Sequence, residues 1–341
     1  VPKKLKTEWQ QVGTIFKKLS KQAGVTVNLE PEWKFVGQII NKNGKKTYFS
    51  HNSFDLNTLG ASRVVSDKDY ANYFLKLLGY PVILGKSFYS NKWAKAIKSK
   101  RNIQAAYAYA QQLGFPLIVK PNSKSQGQGV TKVYNKQEFF KALRTIFEYD
   151  KIVLVQKNVT GNDYRIVVLD NQVLSAYQRL PLSIIGDGKL SVRALLEKKQ
   201  KLFIKLKRDT KINFRDSRIK NKLSRQGLNW SSIIKKNQLV YLLDNANLSS
   251  GGDAIDVTGK LHPSVKKLAI KLTVDMGLRY SGVDLMIEGL ATKPLKKYHV
   301  IELNDTPGID NYFAGVKKQK QVVEKLYLQV LKALYKTPKR A

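Results

Sequence analysis

Apolar positions recur at helical or alternating spacing in short blocks, and these blocks predict the elements of the chain. Trp9, Val12, Ile15, Phe16 and Leu19 share a helical face, so residues 1–30 read as one basic helix and a connector. Phe35–Phe49 reads as a hairpin turning at Asn43-Gly44. Val65–Leu78 reads as a helix capped by Ser66 or Asp67, Gly79–Leu84 as a turn and strand, and Lys92–Leu113 as one helix ended by Gly114. Phe115–Pro121 is a predicted strand, Ser123–Gly129 a flexible loop, Gln137–Glu148 a helix and Ile152–Gln156 a strand. Arg165–Leu169 and Val173–Tyr177 form a predicted hairpin about Asp170-Asn171. Helices follow at Val192–Ile204, Ser264–Met276 and Lys317–Leu334, and strands at Val283–Ile287 and Tyr298–Leu303. Residues 205–237 are basic and polar and read as a loop with a short helix. Helices and strands alternate irregularly with several hairpins, which predicts α+β with mixed sheets rather than a doubly wound fold.

Composition narrows the chemistry. There is no Cys, which excludes disulfides, thiol nucleophiles and Cys-based zinc sites. Three His exclude a His-rich metal site. No apolar run is long enough to span a bilayer, and no export signal is visible, so no membrane association and a cytoplasmic setting are expected. The formal net charge is +36, carried mostly by Lys. Two readings of that charge stay open: an acidic partner, or a Lys-rich solubilising surface. Basic residues are spread along the chain without a zinc-finger or RNP pattern, so no specific nucleic-acid module is supported.

Candidate chemistry concentrates in a few segments. Along the strand His299–Leu303 and beyond, Glu302 and Asn304 point the same way, and Asp284 lies in a second apolar run that can pair beside it. Three hard oxygen ligands suit Mg²⁺ held together with phosphates. The strand Phe115–Pro121 places Lys120 before a Gly/Ser-rich loop, where Ser125, Gly127 and Gly129 allow backbone amides to wrap an anion. This is neither a Walker A loop nor a dinucleotide fingerprint. Lys68 opens a helix, Arg165 begins a strand, and Asn247–Asp256 is a second small-residue loop whose amides are expected to face a phosphate or an oxyanion. Taken together, lysines, glycine loops and oxygen ligands point to ATP chemistry.

These segments resemble the ATP-grasp superfamily of carboxylate–amine ligases, in particular the ATP-grasp module of cyanophycin synthetase and the glutathione-synthetase half of bifunctional glutathione-forming enzymes. The resemblance covers roughly residues 60–310, and Asn247-Leu-Ser-Ser-Gly-Gly-Asp-Ala-Ile-Asp256 is its most specific segment. It implies an ATP-grasp fold with a mobile lid: an N-terminal module at 1–64, a first subdomain with the lid loop at 65–157, and a core subdomain with the Mg²⁺ site at 158–341. It implies that Lys68 and Lys120 contact ATP phosphates, that Ser125–Gly129 form the lid, and that Val155 and Gln156 lie in the hinge strand against adenine. Asp284, Glu302 and Asn304 would hold Mg²⁺, and Arg165, Asn247, Gly251 and Gly252 would face the acyl phosphate. Gln156 stands where close relatives carry Glu. No Mur-ligase-like or glutamate–cysteine-ligase half is expected, so substrates are not carried over from either relative. The implied partners are a small-molecule carboxylate and an amine, and a homo-oligomer is consistent with the family. A kinase acting on an anionic small molecule, and an inactive scaffold binding a polyanion, are the alternatives.

Overall fold

Helix α1 (Glu8–Ala23) buries Val12, Phe16 and Leu19 against an antiparallel sheet of β1 (Val25–Leu29), β2 (Val36–Asn41), β3 (Lys46–Ser50) and β4 (Ser53–Phe54), in that order. The computed structural model describes residues 8–123, 127–206, 208, 210–308 and 317–336. The stretch predicted as a connector after α1 therefore contains a strand. The predicted hairpin is β2–β3, with Gly44 in the left-handed region at φ 75°.

Two helices follow, α2 (Leu59–Ser66) and α3 (Lys68–Leu77), where one was predicted. Asp67 separates them because its backbone is extended and its carboxylate accepts the amides of Asp69 and Tyr70, capping α3. The N-terminal boundary expected at residue 64 falls inside α2.

The next lobe holds β5 (Gly85–Tyr89), α4 (Asn91–Ala96), α5 (Ile103–Leu113), β6 (Leu117–Pro121), β7 (Thr131–Val133), α6 (Lys136–Phe147) and β8 (Ile152–Lys157). Its strands run β5-β8-β6-β7, all antiparallel, under α5 and α6. Gly79–Leu84 is not a strand. Val82 makes only an isolated parallel bridge to Val300, and Pro81 has no N–H to offer a ladder. The single helix expected over Lys92–Leu113 is broken, because Lys98 sits at φ 54° and Asn102 caps a fresh start by accepting the Ala105 amide.

The third part contains β9 (Asn162–Leu169), β10 (Gln172–Leu180), β11 (Ser183–Ile185), α7 (Val192–Lys205), α8 (Ser217–Arg225), β12 (Leu239–Tyr241), β13 (Asp253–Asp256), α9 (Pro263–Asp275), β14 (Tyr280–Glu288) and β15 (Lys297–Asn304). Five of these strands form an antiparallel sheet ordered β13-β10-β9-β14-β15, with α9 packed on it through Val265, Ala269 and Leu272. The pair β11–β12 gathers α7 and α8 around a separate small core. The described sheets are antiparallel, so the mixed pairing expected from sequence reduces to the Val82 bridge.

The closing helix α10 (Lys317–Ala333) returns to the amino-terminal sheet, where Tyr327 meets the Phe16 ring edge-on at 5.6 Å. Asn57 fastens this module to the large sheet. Its Oδ1 accepts the amides of Arg279 and Tyr280, and its Nδ2 donates to the carbonyls of Tyr280 and Asp305. Asn57→Ala strands four backbone groups, so a loss of about 2–3 kcal/mol is expected, read as a lower urea midpoint with an unchanged slope.

Candidate functional site

Between the four-stranded sheet β5-β8-β6-β7 and the five-stranded sheet lies a cleft of about 840 Å³. Lys120, the penultimate residue of β6, reaches it while only 6% exposed. Burial pulls its pKa down to about 8, with Lys68 adding to the effect and Glu302 opposing it. Lys68 opens α3 beside it. The Asp67 cap accepts Asn122 Nδ2 at 2.8 Å, and Lys68 Nζ donates to the Asn122 carbonyl at 3.2 Å. One helix start is thereby tied to the end of one strand, and the two lysines are held on the same wall.

The opposite wall comes from β14 and β15. Asp284 stands directly across from Glu302 and Gly282 across from Asn304, so the three oxygen-bearing side chains share one face of the sheet. Burial pushes Glu302 upward, but Lys68 and Lys120, followed by Arg165 and Arg179, outweigh it and hold the carboxyl down at about 2. Asn304 Nδ2 lies 3.4 Å from Glu302 Oε1. Asp284 is 1% exposed and gripped by two arginines: Arg165 forks onto both its oxygens, and Arg179 Nη2 lies 2.9 Å from Oδ2. Arg179 also holds Asp163 Oδ1 through Nε at 2.9 Å and Nη2 at 2.7 Å.

The cleft brings together eight of the residues singled out in the sequence: Lys68, Lys120, Gly127, Gly129, Gln156, Asn247, Asp284 and Glu302 all line it. Gly127 and Gly129 have φ of 72° and 69°. A Cβ on Gly127 would lie 2.3 Å from Asn247 Oδ1, and one on Gly129 would lie 2.1 Å from the Tyr149 hydroxyl. The two small-residue loops therefore press against each other across the cleft. Ser125 lies outside the described residues. Gln156 is 2% exposed, and among the described residues its Nε2 has no hydrogen-bond partner, leaving a buried donor at the cleft wall.

Other expectations take a different form in the structure. Val155 is fully buried in the apolar core of the β5-β8-β6-β7 sheet, and its backbone is flanked by Lys86 of β5 and Val119 of β6. Its neighbour Gln156, on the other face of the same strand, is the residue that meets the cleft. Arg165 lies behind Asp284 rather than on the lining. Gly251 and Gly252 do not present their amides: these bond the carbonyls of Leu248 and Asn247, both at 3.1 Å, and Arg208 draws in the carbonyls of Leu248 and Gly252. The expected oxyanion-facing amides are thus used up in folding the loop.

Two cleft residues escaped the sequence. Arg179 is the cation of this sheet that reaches the cleft. Arg218, on α8, is braced by Asp216 and donates through Nη1 to the Val130 carbonyl at 2.8 Å, joining the unassigned 205–237 stretch to the glycine loop. Among the described residues no three His, Cys, Asp or Glu side chains cluster as a ready metal group. No described helix is long and apolar enough to cross a membrane.

Comparison with known proteins adds relatives. Residues 74–194 match the family model described as the D-ala D-ala ligase C-terminus. The chain is 33% identical over 284 residues to the glutathione biosynthesis bifunctional protein of Pasteurella multocida, covering 78% of this chain and 34% of that protein. It is 30% identical over 285 residues to the protein of the same description from Enterococcus faecalis, covering 80% of this chain and 35% of that protein. The crystal structure of a bifunctional glutathione synthetase from Pasteurella multocida superposes with a TM-score of 0.57 and 26% identity, over 94% of this chain and 43% of that one. The chain spans about a third of the length of the curated relatives it matches. Of the two likenesses read from the motifs, these matches carry the one to glutathione synthetase.

Proposed function

Since this chain is an ATP-grasp protein homologous to the bifunctional glutathione synthetases, we propose that it is an ADP-forming carboxylate–amine ligase acting on amino acids or short peptides. The observation that carries the reading is the opposition of Lys68 and Lys120 to Asp284 and Glu302 across one cleft, close enough for the lysines to hold Glu302 down, with Asn304 off the lining on the same strand face as Glu302.

In the proposed reaction a substrate carboxylate oxygen bonds the γ-phosphorus of ATP as the bond to the β-bridging oxygen breaks. ADP leaves, and an acyl phosphate remains. An amine then attacks the acyl carbon, phosphate departs, and the amine's proton goes to solvent or phosphate. Such transfers need positioning and charge neutralisation rather than a protein nucleophile. Lys68 and Lys120 supply cationic charge for the phosphates. The unpartnered Gln156 Nε2 is a donor suited to the acceptor edge of a nucleobase. Arg179, already on the cleft, is suited to a carboxylate or phosphoryl oxygen. The glycine loop, seated on Asn247 and tied by Arg218, excludes water that would hydrolyse the acyl phosphate.

The donor set fits Mg²⁺: two carboxylates and an amide oxygen on one sheet face are hard ligands of the kind that hold the ion alongside phosphates. Bound there, the ion would neutralise charge developing on the transferred phosphoryl group.

The test is ADP release from Mg-ATP with hydroxylamine as the amine. It is run against amino acids and short peptides, including the peptide precursor of glutathione. ADP together with a hydroxamate names the carboxylate and supports the ligase. A stable phosphate ester without hydroxamate would replace the ligase with a kinase. Silence, with no ATP binding, would leave the polyanion-binding scaffold.

The depressed Lys120 gives a pH signature. Its ammonium is present below about pH 8 and lost above it. The KM for ATP is therefore expected to rise several-fold between pH 7 and pH 9, as one charge contact is lost. Lys120→Arg, which stays cationic, should flatten that rise in initial-rate measurements.

A further inference from the structure

Helix α8 starts at its cap Asp216 and carries Arg218 and Arg225 seven residues apart, so both lie on one face, about 10 Å apart along the axis. Strand β7 is the outer strand of the sheet β5-β8-β6-β7, paired on one side to β6. The two arginines meet the two ends of that strand. Arg218 Nη1 donates to the carbonyl of Val130, just before β7, at 2.8 Å, while Asp216 holds its Nε at 3.0 Å and its Nη2 at 2.6 Å. Arg225 lays its guanidinium over the ring of Tyr134, just after β7, at 4.0 Å, and its Nη2 donates to Glu138 in the first turn of α6. The other oxygen of Glu138 accepts the Tyr134 amide at 3.0 Å, which aims the carboxylate at the arginine. Four strand steps from Val130 to Tyr134 advance about 13 Å, close to the helix advance between the arginines. Arg218, Arg225 and Glu138 all line the cleft, and their side chains are partly buried.

We propose that α8 is a clasp on β7, with Arg218 and Arg225 as positioning residues: they hold Gly127–Val130 down on the cleft while the acyl phosphate waits for its amine. What the clasp protects rests on the ligase reading; the clasp itself does not. These contacts run through long side chains rather than a shared strand ladder, so they part without unfolding either element. Partly exposed charge contacts are individually weak, which suits a closure that must release product. With the clasp open, water reaches the intermediate. Its oxygen bonds the acyl carbon, phosphate departs, the carboxylate returns and a proton goes to solvent. One ATP is then hydrolysed without an amide being formed.

The ratio of ADP to hydroxamate at limiting hydroxylamine tests the proposal, using the carboxylate that the ligase assay names, with thermal melts confirming that each variant is folded. The parent should release about one ADP per hydroxamate. Arg225→Glu sets a like charge against Glu138 and should raise the ratio roughly tenfold, with ADP release itself within a few-fold of the parent. Arg225→Lys keeps the charge and should stay within about threefold of the parent. Adding Glu138→Arg to Arg225→Glu should recover most of the coupling. Because the chain has no Cys, spin labels placed through Gln137→Cys on α6 and Lys220→Cys on α8, both exposed, read the gap without any substrate. The parent should give a narrow distance distribution that lengthens and broadens with Arg225→Glu. An unchanged distribution, or a ratio that stays near the parent's while the distance broadens, would each overturn the proposal. If no carboxylate yields ADP, the ligase reading falls, and the label distances still decide for or against the clasp.

Discussion

Glu302→Gln is expected to lower ADP release by about a thousandfold or more while nucleotide binding persists. Gln matches Glu in shape and still offers an oxygen, so the strand pairing of β14 and β15 should survive. What disappears is the negative charge that the fold maintains at some effort. Burial alone would push this carboxyl up, yet Lys68 and Lys120 hold it near 2, so it is ionised at every pH at which the protein is used. Without it, the two lysines face the phosphates with less counter-charge, Asp284 alone remaining, and the cation site loses one of its two carboxylates. ATP affinity should stay within a few-fold or tighten, because one repulsive charge near the phosphates is gone. Glu302 also raises the pKa of Lys120, so the pH midpoint assigned to that lysine should fall below about 8 in the variant. Calorimetry for binding and a coupled ADP assay for turnover separate the two effects. Turnover within tenfold of the parent would remove Glu302 from the site.

Asp284→Asn is expected to act first on stability, by about 3–5 kcal/mol. The carboxylate is 1% exposed and accepts from both Arg165 and Arg179. Neutralising it leaves Arg165 as a buried cation without its partner, whereas Arg179 keeps Asp163. A fall of roughly 10 °C in the melting midpoint is the anticipated size. The mechanism can be separated from simple loss of packing. Adding Arg165→Met to Asp284→Asn removes the uncompensated charge and should recover more than half of the loss. Activity should remain low in the double variant, because the negative charge of the ligand at position 284 is still missing. If the second substitution deepens the loss instead, the arginine is needed for something other than its partner.

The pairing of Asp284 with Glu302 and Asn304 could be read from sequence because strand side chains repeat with period two and the two apolar runs were evident. Lys120 and the glycine loop stood out in their local chemistry, whereas Lys68, at a helix start that reads locally as a cap with solvated charges, was singled out only through the family resemblance. Arg179 was not, and the reason is register. A hairpin folded evenly about Asp170-Asn171 keeps Leu169 opposite Gln172 and would set Gln178 across from Asp163. The irregularity between Val173 and Ser175 slips the strand by one residue and brings Arg179 there instead. A one-residue slip exchanges the two faces of a strand, and no local pattern announces it. The stretch 205–237 failed for another reason. Arg218 and Asp216 brace each other and then reach a loop about ninety residues away in the chain, so their role depends on contacts that periodicity does not carry. In the Asn247–Asp256 loop the residue types were informative but the direction of the amides was not, since small residues fold as readily onto their own carbonyls as around an anion.

Asn57 makes the amino-terminal module a matter of craft for anyone recombining relatives. Its two amide contacts fall at the entry to β14, four residues ahead of Asp284, and one of its carbonyl contacts is Asp305, immediately after Asn304. The strands that carry the oxygen ligands are thus pinned at their shared end by a side chain that a chimera joined at residue 64 would import from the other parent. A graft that moves the junction upstream of residue 57, so that this asparagine travels with the strands it pins, should keep the spacing of the ligands. One joined downstream would inherit whatever the donor places at that position.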